Sequence, residues 1–237
     1  MINKQSLVSL TANVIIVFVL IVIAIVGLGG AEVVAVSGED AIYRGNEAVA
    51  NVSLMFNVYW GTEYVDDILK VLDAFQVKTT FFVGGCWVAK NVEVFKTIVE
   101  KGHEIGSHGY SHKDAEKLNY AQNEDEILLT EKMIFSITNK KPTLFAPPSG
   151  SIGSSMFEVC KDNDYTVIMW SRDTIDWRDK DVNMVIKRAT SDIQNGELIL
   201  MHPTAHTLKA LPKIIGDLKS KGFMVTTVSE TIAPAKV

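Results

Sequence analysis

An α/β fold around a parallel sheet, open or closed into a barrel, is the architecture this sequence predicts, and three observations predict it. Short apolar runs rich in β-branched and aromatic residues recur from residue 51 to residue 227. Segments of helical period fill the gaps, the alternation expected of parallel strands joined by crossover helices. No repeat, proline-rich linker or low-complexity tract interrupts the stretch, so one domain, 48–237, accounts for it.

The elements follow in order. From Gln5 to Ala31 no charged residue occurs, and Val14 to Val26 is unbroken apolar sequence, enough with its flanks to span a bilayer. Lys4 before the run and Glu32 after it place the N-terminus inside and the rest outside, so residues 1–31 read as a short cytoplasmic stub and a transmembrane helix. The expected location is the cell membrane, single-pass, with the main domain on the extracytoplasmic side. The alternative is a signal peptide cut near "GLGGA" and a secreted product. Residues 32–47, polar and containing Gly38 and Gly45, read as a linker.

Seven strands are expected at 51–56, 79–83, 103–107, 143–146, 166–171, 197–201 and 223–227. Between them, residues 62–75 set Val65, Ile68, Leu69, Leu72 and Phe75 on one helical stripe, and residues 123–139 do the same with Ile127, Met133, Ile134 and Ile137. A formal net charge of −5, with no basic run beyond isolated pairs, argues against nucleic acid as a partner. Cys86 and Cys160 have neither a metal-binding spacing nor a framework count, and read as ordinary buried thiols.

In a parallel barrel, chemistry collects where strands end and the following loops begin. The unusual residues fall there. Asn57 to Gly61 follow the first run, His108 and His112 the third, Pro147 and Pro148 the fourth, Asp173 and Asp176 the fifth, and His202 the sixth. Imidazoles four residues apart around a turn can converge on one divalent ion, zinc or cobalt. Of the other histidines, His103 stands at the start of a strand, remote from that rim, and is expected to pack. His206 lies one turn into the last loop. Trp60, Trp87 and Trp177 sit in rim loops, where an aromatic face either stacks on a sugar or fills space.

These residues resemble the polysaccharide deacetylases that share the NodB homology domain, carbohydrate esterase family 4. "TTFFVGG" resembles the family's second strand, "GHEIGSHGYSH" its H-(S/T)-x-x-H metal motif, "FAPPSG" its R-x-P-x-G segment, "DTIDW" its D-x-x-D-W groove motif, and "LILMH" its terminal L-x-H. The "WG" of "MFNVYWG" is similar to a sporulation-type branch reading F-D-x-x-W-G. The resemblance implies a distorted (β/α)-barrel that hydrolyses acetyl groups on a polysaccharide such as peptidoglycan. It implies metal on His108 and His112, His202 as general acid with Asp176 behind it, and substrate contacts from Pro147, Pro148, Trp60 and Trp177.

The departures bear on activity. Where the family carries T-F-D-D-G, this chain has Asn57 at the base position and Val58 at a metal-ligand position, and the arginine that orients the base is Ala146. A neutral amide cannot accept the proton, and two imidazoles without a carboxylate hold zinc weakly. Two outcomes are expected: either Asp173 or water activated by the metal replaces the base, with Arg172 supplying the lost positive charge, or catalysis is gone and a membrane-anchored glycan-binding pseudoenzyme remains.

Overall fold

The computed structural model describes residues 41–234. The anchor expected over 1–31 lies outside them, and among the described residues no helix is long and apolar enough to cross a membrane.

Eight strands form one sheet: β1 Asn51–Val58, β2 Thr80–Val83, β3 Glu104–Ser107, β4 Leu144–Phe145, β5 Thr166–Val167, β6 Arg172–Asp173, β7 Leu198–Met201 and β8 Met224–Thr226. Their order is β5-β4-β3-β2-β1-β7-β6, with β8 alongside the first residues of β1, and every pairing is parallel. The seven runs of the sequence become eight strands because the fifth run keeps only Thr166–Val167 as strand and the chain pairs again just beyond it, at Arg172–Asp173. β5 pairs with β4, the chain crosses over, and β6 pairs with β7. One stretch, 166–173, therefore connects both edges of the sheet, which is a distorted half-barrel consistent with a (β/α)-barrel. Ile42 bridges Ile168 in parallel and Arg44 bridges Glu197 in antiparallel fashion, so part of the segment read as linker lies along this seam.

Strand periodicity sorts the core into two sides. Leu54, Phe56 and Val58 of β1 join the apolar cluster beneath the helices, whereas Met55 joins Phe82, Leu144, Ala146, Ile168, Leu198 and Leu200 inside the barrel. Helix α1, Val65–Ala74, follows β1, and its buried Val65, Ile68, Leu69 and Leu72 are the stripe read from the sequence. Each such side chain contributes about 1.5–3 kcal/mol by leaving water. The later helices are α2 Gly85–Lys90, α3 Val92–Glu100, α4 Tyr120–Thr138, α5 Ser154–Asp162, α6 Val182–Thr190, α7 Ala205–Ser220 and α8 Val228–Ile232. An Asn119–Gln122 capping box starts α4, and Asn139, at φ 53°, ends it.

The seam carries a buried charge. Glu197 is 2% exposed, pairs with Arg44 at 3.1 Å and Arg172 at 3.2 Å, and accepts from the Ser171 hydroxyl at 2.5 Å. Removing Glu197 leaves two partly buried arginines without their counter-charge and the Ser171 hydroxyl without its acceptor. Glu197→Ala is expected to lower unfolding free energy by about 3–5 kcal/mol, read from urea denaturation. Lys70→Ala, which deletes an exposed, solvent-screened pair with Asp67, is expected to leave the unfolding free energy nearly unchanged. Equal effects would show that the seam does not depend on this network.

Candidate active site

The parallel strands bring their C-terminal ends to one rim, and a cavity of about 390 Å³ opens there. Asn57, His108, His112, Asp173 and His202 line it together with Trp60, Trp170, Trp177, Ser149 and Leu200.

His108 follows β3 directly. Its backbone N–H donates to Val83 at 2.9 Å, continuing the parallel ladder, and its Nδ1–H donates to the Ala146 carbonyl at 2.7 Å. That bond fixes the tautomer and leaves Nε2 as the free donor atom. Burial, reinforced by His112, pushes the His108 pKa down to about 3, so the ring stays neutral and able to ligate near neutral pH. His112 sits in a left-handed turn at φ 57°, with its ring 5.1 Å from that of His108 and 4.6 Å from that of Tyr59, centroid to centroid. Burial lowers its pKa as well. Asn57 is 4% exposed and its Oδ1 has no hydrogen-bond partner. Two neutral imidazoles and an orphaned amide oxygen fit a divalent ion, but the set is short of a carboxylate. Among the described residues no cluster of three His, Cys, Asp or Glu completes it. Val58, at the expected ligand position, packs instead in the helix-side core.

Across the cavity, His202 follows β7 and its ring is held by Asp176. The His202 Nδ1 lies 2.8 Å from one carboxylate oxygen, while the His202 backbone N–H donates to the other at 2.7 Å. The Thr207 hydroxyl donates to that second oxygen as well. Asp176 is thus buried with both oxygens satisfied, and the Nε2 of His202 is the nitrogen left for the cavity. Trp60 stacks on the imidazole with centroids 5.4 Å apart and planes 18° from parallel. Trp60 and Trp177 line the cavity and are about half exposed.

Asp173, on β6, is the only carboxylate among the described residues lining the cavity. One of its oxygens accepts the Ile175 N–H at 2.7 Å. Ile175 has φ 53°, a region a β-branched residue seldom adopts, so this bond supports the turn that delivers Asp176.

The expectations for Arg172, Pro147 and Pro148 are corrected. Arg172 is not at the cavity: neighbouring residues of a strand point to opposite faces, and its guanidinium is bound to Glu197 and to the carbonyls of Arg188 and Asp192, in a separate groove. Pro147 and Pro148 are buried and do not line the cavity, whereas Ser149, at φ 56°, does. Trp87 is buried and donates to the Gly61 carbonyl at 2.7 Å, bracing the loop after β1. His206 does not line the cavity. Thr207 and Trp170 were not singled out from sequence. Thr207 is the third residue of α7, its N–H capped by the Thr204 side chain, so its place follows only once the helix start is set at Thr204.

A family model described as polysaccharide deacetylase matches residues 44–168, which include Asn57, His108, His112 and Ala146. The uncharacterized protein YlxY of Bacillus subtilis is 39% identical over 191 residues, 81% of this chain and 60% of that one, so this chain spans less than two thirds of its length. A peptidoglycan-N-acetylglucosamine deacetylase of Bacillus cereus is 31% identical over 71% of this chain and 82% of its own. The crystal structure of a CE4 family pseudoenzyme from Bacillus anthracis superposes with a TM-score of 0.80 at 37% identity, over 82% of this chain and 69% of that one. A mutant of that pseudoenzyme with restored enzymatic activity superposes with the same TM-score at 36% identity, over 82% and 72% of the two chains.

At the opposite end of the barrel, His103 is buried, its Nδ1 accepts the Thr79 N–H at 3.2 Å, and its ring meets Phe81 edge-on. Burial, then the Lys78 ammonium, lowers its pKa from 6.5 to about 4. As the pH falls below 6.5 the unfolded chain protonates this ring while the folded chain does not, so its contribution to stability is intact above 6.5 and is lost progressively down to about 4. His103→Asn, which keeps an acceptor for Thr79, is expected to flatten the fall in unfolding free energy across that window. A slope identical to wild type would show that His103 titrates normally.

Proposed function

The chain belongs to the polysaccharide deacetylase family, and on that premise we propose that it removes acetyl groups from peptidoglycan, slowly, with Asp173 in the place of the family's base. The N-terminal apolar stretch supports an extracytoplasmic location for this work, beside the wall. The observation that carries the reading is the His202–Asp176 pair on the same cavity as the two free imidazoles, because a cleft that only bound glycan would need no held proton donor.

Hydrolysis of an acetamide requires water to bond to the carbonyl carbon as the C–N bond breaks, with one proton taken from the water and one given to the leaving amine. His108 and His112, with the Asn57 amide oxygen, would hold the ion. When bound, a divalent ion, zinc or cobalt, polarises the acetyl carbonyl. His202, as imidazolium, donates from Nε2 to the departing nitrogen. Asp176 keeps Nδ1–H bonded throughout and so fixes which nitrogen acts. Asp173 accepts the proton of the attacking water with the oxygen that Ile175 does not occupy. Trp60 and Trp177 offer ring faces to the sugars, and the three indoles exclude water from the reacting amide.

A second reading, binding without turnover, is favoured by Asn57 and Ala146 and by the similarity to a CE4 pseudoenzyme. Acetate release from acetylated peptidoglycan fragments separates the two. Under the first reading the wild type releases acetate and both His202→Ala and Asp173→Asn lower the rate, the latter by about 100-fold or more. Under the second, the wild type equals His202→Ala.

Either reading makes a prediction for repair. Ala146 is fully buried among apolar side chains of the barrel interior, which also holds Asn57. Asn57→Asp alone would place a carboxylate in that interior without a partner, and Ala146→Arg alone would bury an unpaired cation there. The double variant supplies both, and is expected to exceed either single change, with a gain of about 100- to 10,000-fold over a baseless site. The restored activity of the Bacillus anthracis mutant supports repair by substitution in this fold. A folded, metal-binding double variant no faster than wild type would mean that the base is supplied elsewhere or that the site is not catalytic. Zinc content of the purified chain is expected to be sub-stoichiometric and to vanish in His108→Ala; zinc unaffected by that change would refute the assignment of the imidazoles.

A further inference from the structure

We propose that Glu126 is the positioning residue of the His112 imidazole, an inference that rests on reading His108 and His112 as metal-facing residues. Glu126 lies on α4 beside Ile127 and is 6% exposed, an unusual state for a glutamate with one half-exposed lysine as its ion partner. Its carboxylate touches the residues on both sides of His112: Oε2 accepts the Ser111 N–H at 2.7 Å, and Oε1 lies 3.5 Å from the Lys113 ammonium. Between those two contacts the backbone of His112 turns through the left-handed region, where a residue with a side chain stays only if its surroundings hold it.

The rest of the loop is built against the same carboxylate. Gly109 has φ 73°, and a Cβ there would lie 3.2 Å from both Glu126 Oε2 and Pro148 Cγ, so the loop after His108 leaves little room for a side chain facing Glu126. The start of α2 takes the loop's carbonyls, with Gly85 and Cys86 N–H groups donating to Gly109 and Tyr110 at 2.9 and 3.0 Å. The Tyr59 hydroxyl donates to the Ser111 carbonyl at 3.1 Å. These fix one side of the loop. Glu126 supplies the acceptor on the other side, and the direction of the His112 side chain follows from the two together. His108 needs no such device, since the sheet ladder and the Ala146 carbonyl already hold it.

The test compares the full chain with Glu126→Gln, which keeps an acceptor for the Ser111 N–H, and Glu126→Ala, which removes it. Cobalt(II) is titrated into each and followed by its visible absorption. Loss of an outer hydrogen bond to a metal-binding loop typically weakens binding about 10–100-fold, so that loss is expected for Glu126→Ala, with Glu126→Gln within about threefold of wild type. Wild-type affinity in Glu126→Ala, or equal weakening in both variants, overturns the proposal. If the wild type takes up no cobalt, the metal reading fails separately, and hydrogen exchange at the Ser111 amide decides the positioning claim. Protection lost in Glu126→Ala and kept in Glu126→Gln upholds it, and equal protection in all three chains overturns it.

Discussion

Parallel hydrogen bonding of β1 to β2 and β7 is the constraint on which the rest of this structure depends. β1 is paired on both edges, Met55 to Val58 with Thr80 to Val83 and Ser53 to Phe56 with Leu198 to Met201. Because all the strands run the same way, their C-terminal ends share one rim, and residues more than a hundred positions apart in the chain face one cavity. The same register fixes which way each side chain points. Asn57 shares the inward face of Met55, while Val58 falls with Leu54 and Phe56 under the helices.

That partition explains why two sequence departures have such different consequences. At Asn57 the inward position is retained and only the chemistry changes, from a group that can take a proton to one that cannot. At Val58 the side chain has joined the hydrophobic core, so the ligand has been replaced by packing. Ala146 combines both kinds of change: its small side chain lets the barrel interior close, while its carbonyl still orients His108.

Buried carboxylates are the other recurrent device. Glu197 ties the seam, Asp176 holds His202, and Glu126 underlies the His112 loop, each with its oxygens occupied by donors from a distant part of the chain. A carboxylate taken out of water is tolerated only when so satisfied, and once satisfied it is rigid. The site's geometry therefore rests on interactions behind the cavity as much as on the residues lining it.

Read alone, the sequence carried the alternation of strands and helices, the strand ends at which His108, Asp173, Asp176 and His202 would stand, and a neutral amide at Asn57. These are local properties: apolar periodicity and residue type are present in the chain before it folds. Tertiary structure alone decided that 166–173 pairs with two different strands, that Arg172 turns away to Glu197 while Asp173 turns inward, and that Trp87 braces a loop while Trp60 covers an imidazole. It also selected Thr207 and Glu126, which nothing in their neighbourhood in the chain distinguishes. The physical reason is that a side chain's partner is set by strand register and helix packing, and in a parallel barrel those join residues whose separation in sequence carries no information about their separation in space.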